Sequence, residues 1–268
     1  MPVDHYENFP VASWLLPARL RPPIEAIYAF ARGADDIADE GELSDADRLG
    51  GLARYAEALD RIEAGETPSE APFARLAWAA REYELPIPLL RDLLDAFSQD
   101  VVKKRYEDFS ALLEYCRRSA NPIGRLLLHL FKRTAESDLQ RSDAICTALQ
   151  LINHWQDVDI DYTRDNRVYL PQDEMARFGV SEKHLSDKVC DAAWRDLMKF
   201  QVDRARSLMV SGSGLGKSLP GRIGLEIRAT IQGGLRILEK IEHAGYDVFR
   251  QRPRLRAFDW PLLLLRAV

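Results

Sequence analysis

Two sets of polar residues stand at helical spacing in apolar surroundings: Tyr28, Arg32, Asp35 and Asp39, then Gln150, Asn153, Asp157 and Asp161. Each set steps by three or four residues, so at 3.6 residues per turn its members stack along one helix face. The neighbours, Ile24, Ile27, Phe30 and Ile37 in one and Leu149, Leu151, Ile152, Trp155 and Val158 in the other, predict two substantially buried helices. Carboxylates aligned on buried helices are costly unless a cation satisfies them. Paired oxygen ligands suit Mg2+, which is usually held by one or two carboxylates plus the phosphates of a substrate. The chemistry these residues predict is diphosphate binding through Mg2+ in a cavity between two helices.

Acidic clusters on helices are most often solvated faces. Here each cluster extends a longer polar stripe through an apolar helix, and the chain contains two. The second is followed by Arg167, Tyr169, Leu170 and Pro171, where a guanidinium and a phenol could reach phosphate oxygens. Ala120 and Gly124 clear one helical face for close approach of a helix or a ligand, and Tyr115 upstream is either a catalytic phenol or an ordinary buried tyrosine. Ser211-Gly-Ser-Gly-Leu-Gly-Lys-Ser218 is one residue short of a phosphate-binding loop. It has Ser where that pattern needs Gly, and a helical run where it needs a strand, so a flexible helix connection is expected. The five histidines show no metal-ligand spacing.

The elements that must position these residues are helical throughout. Helices are expected at about 22–39, 46–64, 71–83, 88–102, 108–117, 121–134, 139–162, 181–209 and 219–244, separated by Pro or Gly clusters. The economical architecture is a single all-α domain over 1–268. The two acidic helices lie more than 100 residues apart, so only tertiary structure can join them.

Bulk properties narrow the partners. With 268 residues, 46% hydrophobic, 29% charged and net charge −5, the composition is that of a soluble globular protein, and nucleic acid is not an expected partner. Cys116, Cys146 and Cys190 form no CxxC and read as reduced thiols of a cytoplasmic protein. The N-terminal MPVDHYENFP lacks signal-peptide features, and no apolar run is long enough to span a bilayer. The tail, Arg252-Pro-Arg-Leu-Arg256 followed by Phe258 and Trp260-Pro-Leu-Leu-Leu-Leu265, combines cations with apolar side chains. It is weighed as either an interfacial segment at the inner face of the membrane or a piece packed on the helical body.

Asp35-Asp-Ile-Ala-Asp39 and Gln150-Leu-Ile-Asn153-His-Trp-Gln-Asp157-Val-Asp-Ile-Asp161 resemble the two aspartate-rich motifs of the squalene and phytoene synthases. The resemblance extends over nearly the whole chain. It takes in His5-Tyr-Glu-Asn-Phe9, Leu15-Leu16-Pro17, Ala26-Ile-Tyr-Ala-Phe-Ala-Arg32, Tyr115-Cys116 and Arg167-Val-Tyr169-Leu-Pro171. It implies an isoprenoid synthase helical fold with a central cavity for prenyl diphosphates. By the same resemblance Asp35, Asp39, Asp157 and Asp161 hold Mg2+, Arg32, Gln150, Asn153 and Arg167 bind substrate, and Tyr28, Tyr115 or Tyr169 acts in catalysis.

Within the family, HYENFPVASWLLP, YCRRSANPIGRLLLHLF, ALQLINHWQDV and LPGRIGLEIR are most similar to the hydroxysqualene synthases of bacterial hopanoid pathways. That likeness implies conversion of presqualene diphosphate and water to hydroxysqualene and diphosphate. Condensing relatives commonly carry a basic residue at the position of Glu7 and Arg at that of Gln156, cations that would help bind diphosphate. NADPH is not expected, because capture by water consumes no hydride. The alternatives are head-to-head condensation of two prenyl diphosphates, as in squalene or phytoene synthases, and a noncatalytic lipid-binding or assembly factor on the same fold.

Overall fold

The computed structural model describes residues 16–250 and 252–268. The His5–Phe9 motif, Glu7 and Leu15 lie outside them. Among the described residues the regular structure is helical: α1 (Arg21–Asp39), α2 (Asp45–Glu63), α3 (Phe73–Tyr83), α4 (Ile87–Val102), α5 (Phe109–Ser119), α6 (Asn121–Leu130) and α7 (Glu136–Asp165) are followed by α8 (Gln172–Arg177), α9 (Glu182–Ser186), α10 (Ala192–Gly212), α11 (Leu215–Ser218), α12 (Gly221–His243) and α13 (Trp260–Ala267). The extended pairing among them is an isolated parallel bridge between Arg105 and Val168.

Start and stop signals lie where side-chain chemistry supplies them. Ser44, Asp108 and Asp191 accept backbone N–H bonds at the starts of α2, α5 and α10. The long α7 ends at Asn166, whose positive φ of 50° turns the chain, a conformation Asn tolerates better than most residues.

The expected helix over 181–209 is two elements, α9 and α10. The break falls at Lys188, which has φ 53°. Neither α8 nor α13 was expected: α8 is too short for its period to register, and α13 was read as tail. The segment 211–218 is a tight connection packed on the body, not a flexible one. A Cβ on Gly212 would stand 2.5 Å from the Arg141 carbonyl oxygen of α7, and one on Gly216 would stand 2.6 Å from Arg228 of α12.

The buried side chains form two clusters. One is built on α1 to α4 and centres on Phe30, Leu59, Leu76 and Leu90. The other is built on α5, α7, α10 and α12 and centres on Leu112, Trp155, Trp194 and Ile237. Helices α4 and α6 serve both, since Ala96 and Leu128 belong to the second cluster while Leu93, Leu126 and Leu130 belong to the first. Gly124 lets α6 seat on α7, with Ser142 Oγ and Cys146 Sγ at 2.3 and 2.5 Å from where a Cβ would stand. The cleared face read at Ala120 and Gly124 therefore serves helix packing, and the two acidic helices belong one to each cluster.

Candidate active site

The stripe on α1 is one face of the helix in the folded chain. Tyr28, Arg32, Asp35, Asp36 and Asp39 are all half-buried, while Ala26, Ile27, Phe30, Ala34 and Ala38 between them are buried. Gly33 lets Tyr55 of α2 press against this helix, its hydroxyl 2.5 Å from where a Cβ would stand. On α7, Gln150, Asp157 and Asp161 are half-buried and Asn153 is exposed, beside the buried Leu151, Ile152, Trp155 and Val158.

Both stripes end at the C-terminus of their helix. Asp39 closes α1, and Asp161 lies in the last turns of α7. Helix C-termini carry negative partial charge, which makes them poor places for carboxylates unless a cation is near. Arg167 is such a cation. The turn at Asn166 sends the Arg167 N–H back to the Asp161 carbonyl at 2.9 Å, and its guanidinium donates to Asp39 Oδ1 at 2.6 Å, 128 residues away. A neighbouring pairing, Val168 N–H to the Lys104 carbonyl at 2.9 Å, holds that turn against the end of α4. Burial works against the charge on Arg167, but the Asp39 hydrogen bond, Tyr169 and the nearby carboxylates outweigh it and hold the guanidinium firmly protonated.

Two of the carboxylates are held against ionisation by burial and by the charge of a neighbouring carboxylate. Desolvation first, then repulsion from Asp39, pushes Asp35 up to about 7, although its side chain keeps 36% exposure. A carboxyl that is open to solvent contact yet crowded by protein lines a concave surface. Asp161 is likewise raised well above the ordinary carboxylate range, by desolvation and then by Asp157 one turn earlier. Arg32 bridges along its own helix to Asp35 at 3.2 Å, Asp36 at 2.7 Å and Glu40 at 2.8 Å. Among the described residues no three acidic, His or Cys side chains are gathered closely enough to hold a metal unaided. The donor set still fits Mg2+: it is all oxygen, comes in i,i+4 pairs at two facing helix ends, and leaves coordination for phosphate oxygens and water.

Three features of the site were not read from the sequence. Asp100 of α4 is buried, 5% exposed, and accepts from the Tyr115 hydroxyl at 2.7 Å and the Tyr169 hydroxyl at 3.1 Å. Desolvation, eased by Arg167 and by those phenols, pushes its carboxyl up to about 7. The second is His154, whose ring stacks on Tyr169 with centroids 3.6 Å apart and whose Nε2 has no partner among the described residues. Burial, then Arg167, pushes it down to about 3, so it is neutral. The third comes from the tail. Arg252 grips both oxygens of Asp157, with Nη2 at 2.9 Å from Oδ2, and Gln156 donates to the Pro253 carbonyl. A cation therefore stands beside Gln156 after all, supplied from 95 residues downstream. The aspartates and Arg32 were visible from spacing and Arg167 from its place after the second cluster, whereas Asp100 of α4 has no carboxylate three or four residues away, Asp95 being five, and Arg252 lies in a basic tail, so neither gave a local signal.

Tyr115 and Tyr169 thus meet on one carboxyl, and Tyr106 stacks on Tyr169 with centroids 5.6 Å apart. Tyr28 lies apart from that group on α1, close enough to Arg32 to bear on its charge.

The squalene/phytoene synthase family model matches residues 3–259. A hydroxysqualene synthase of Rhodopseudomonas palustris is 40% identical over 260 residues, 95% of this chain and 85% of that protein. One from Zymomonas mobilis is 38% identical over 229 residues, covering 84% and 75%. Among solved structures, a squalene synthase from Alicyclobacillus acidocaldarius superposes with a TM-score of 0.84 at 35% identity, covering 91% of each chain. Matched along nearly its whole length, with both acidic helices meeting at one seam, the chain belongs to the squalene/phytoene synthase family.

Proposed function

We propose that this chain converts presqualene diphosphate and water to hydroxysqualene and diphosphate, in a reaction dependent on Mg2+. The observation that carries the reading is the Arg167 bridge from the end of α7 to Asp39, which draws two carboxylate pairs and two helix C-termini to one place. The hydroxysqualene synthases at 38 and 40% identity support the substrate, and the solved squalene synthase at 35% keeps the condensing reaction as the second reading.

Asp35, Asp39, Asp157 and Asp161 would hold Mg2+ together with diphosphate oxygens, and the bound ion supplies neutralisation of charge developing on the leaving group. Arg32, Arg167 and Arg252 exchange part of their carboxylate pairing for charge-assisted hydrogen bonds to phosphate oxygens. Gln150 and Asn153, on the same face of α7, orient the diphosphate. Departure of diphosphate leaves a cyclopropylcarbinyl cation, which opens in an apolar, water-poor pocket and is captured by one water, whose proton passes to solvent or diphosphate. Tyr115 and Tyr169, held by Asp100, and Tyr28 near Arg32 are the phenols available to orient that water or face the cation. The site draws on α1, α4, α5, α7 and the tail, which supports reading residues 1–268 as one domain.

The test is incubation of the protein with Mg2+ and presqualene diphosphate, and separately with farnesyl diphosphate, without NADPH, with products identified by mass spectrometry. Hydroxysqualene from the first substrate alone is expected. Presqualene diphosphate or a coupled hydrocarbon from farnesyl diphosphate replaces the reading with condensation, and no turnover of either replaces it with the noncatalytic role.

A further inference from the structure

No helix among the described residues is long and apolar enough to cross a membrane. Yet the C-terminal segment leaves four large apolar side chains facing outward. Phe258 is 66% exposed, Trp260 39%, Leu264 47% and Leu265 77%. At 100° per residue, Trp260, Leu264, Pro261 and Leu265 occupy one arc of about 140° on α13. Leu263 and Ala267, on the flank of that arc beyond Trp260, are buried.

This orientation is fixed. At the start of α13, the fully buried Asp259 carboxylate takes Arg236 at 2.9 Å, Lys240 at 2.6 Å and the Arg256 N–H at 2.8 Å. At its end, Arg228 donates to the Ala267 carbonyl and Arg266 pairs with Glu239 at 2.6 Å. With both ends clamped to α12, the helix cannot roll its apolar arc inward. Outward-facing groups of this kind mark a surface that meets something apolar.

Charge identifies the partner. Residues 250–268 hold five arginines against one acidic residue, in a chain whose net charge is −5. Arg254 and Arg256, next to Phe258, are exposed and form no ion pair among the described residues. An apolar arc flanked by arginines fits the headgroup boundary of an anionic bilayer, where the rings and leucines enter the acyl region and the cations meet lipid phosphates.

We propose that α13 and the residues before it form a fixed interfacial platform that docks the protein on an anionic lipid surface. Phe258 is six residues beyond Arg252, whose guanidinium grips Asp157, so at about 3.4 Å per residue the Cα of Phe258 lies within about 20 Å of the Cα of Arg252.

The experiment is flotation of the full chain with phosphatidylcholine vesicles with and without phosphatidylglycerol, an assay that requires no turnover. The wild type is expected to float with the anionic vesicles and more weakly with the neutral ones. Leu264→Asp with Leu265→Asp is expected to lower the vesicle partition coefficient by about tenfold or more. Its melting temperature and its turnover in detergent should stay unchanged. Arg254→Glu with Arg256→Glu is expected to abolish the preference for anionic lipid. A wild type that stays with the unbound fraction, or a doubly aspartate-substituted protein that floats as well as the wild type, overturns the proposal. A wild-type dimer that the same two aspartates convert to monomer, without vesicle binding, assigns the face to a second copy and equally overturns it.

Discussion

At Asp35 stability and function pull in opposite directions. Its carboxyl is held up to about 7 by desolvation and by Asp39, so folding favours the protonated form. The stabilising contribution of that form is complete below the ordinary carboxylate range and is lost as pH rises through about 7. Asp35→Asn imitates the protonated state, so in metal-free buffer the melting temperature of the variant should gain on the wild type as pH rises from about 4 to about 7. The same change should lower Mg2+-dependent turnover by about 100-fold or more, the scale on which fixed electrostatic stabilisers act. Thermal unfolding across pH together with product formation checks both halves. An Asp35→Asn protein with near-normal turnover would remove Asp35 from the proposed site.

At the scale of elements, close helix contacts keep α7 in register with its neighbours. The C-terminal end of α10 can reach α7 only because Gly212 has no side chain, since an added Cβ would meet backbone, which cannot rotate away. Gly212→Ala should therefore destabilise by about 1–3 kcal/mol despite the better helix propensity of Ala. Gly50, exposed on α2 with open space around it, is the counterpart. Gly50→Ala should stabilise by about 0.5–1 kcal/mol, because only the backbone entropy of Gly is removed. Denaturant unfolding of the pair would read opposite signs from one chemical change. The same contacts give the glycines of the 211–218 segment a packing role: Gly212 lets it approach α7 and Gly216 lets it approach α12.

Across the whole molecule, two apolar clusters meet at a seam crossed by a buried ion pair, and the proposed site is that seam. Arg167, 6% exposed, is the tie. Removing it takes from Asp39 its hydrogen-bonded partner and from Asp161 one of its two nearby cations, leaving Arg164 to act on both; breaking a fully buried pair costs about 3–5 kcal/mol, and the 23% exposure of Asp39 brings the figure here to about 1–3 kcal/mol. Arg167→Ala should lose stability on that scale in metal-free buffer. Adding Asp39→Asn to the same chain should recover part of it, since one stranded charge is removed. Mg2+ alone should raise the melting temperature of Arg167→Ala more than that of the wild type, because it replaces the missing cation beside the carboxylates. Additive effects of the two substitutions in a double-mutant cycle would show that the bridge does not join the halves.

Sequence alone determined the helical class, most helix positions, and which faces of α1 and α7 carry polar groups, because these depend on periodicity within a few turns. It also determined the aspartate pairs, since an i,i+4 spacing fixes both members on one face whatever the rest of the chain does. Tertiary structure alone decided that Asp100 meets Tyr115 and Tyr169, that Arg252 reaches Asp157, and that α13 turns Leu264 and Leu265 outward. A single carboxylate or arginine carries no periodic signal. Its partner is chosen when segments 69 or 95 residues apart are packed together, and that choice follows from the summed burial of two clusters, which no short window of sequence contains.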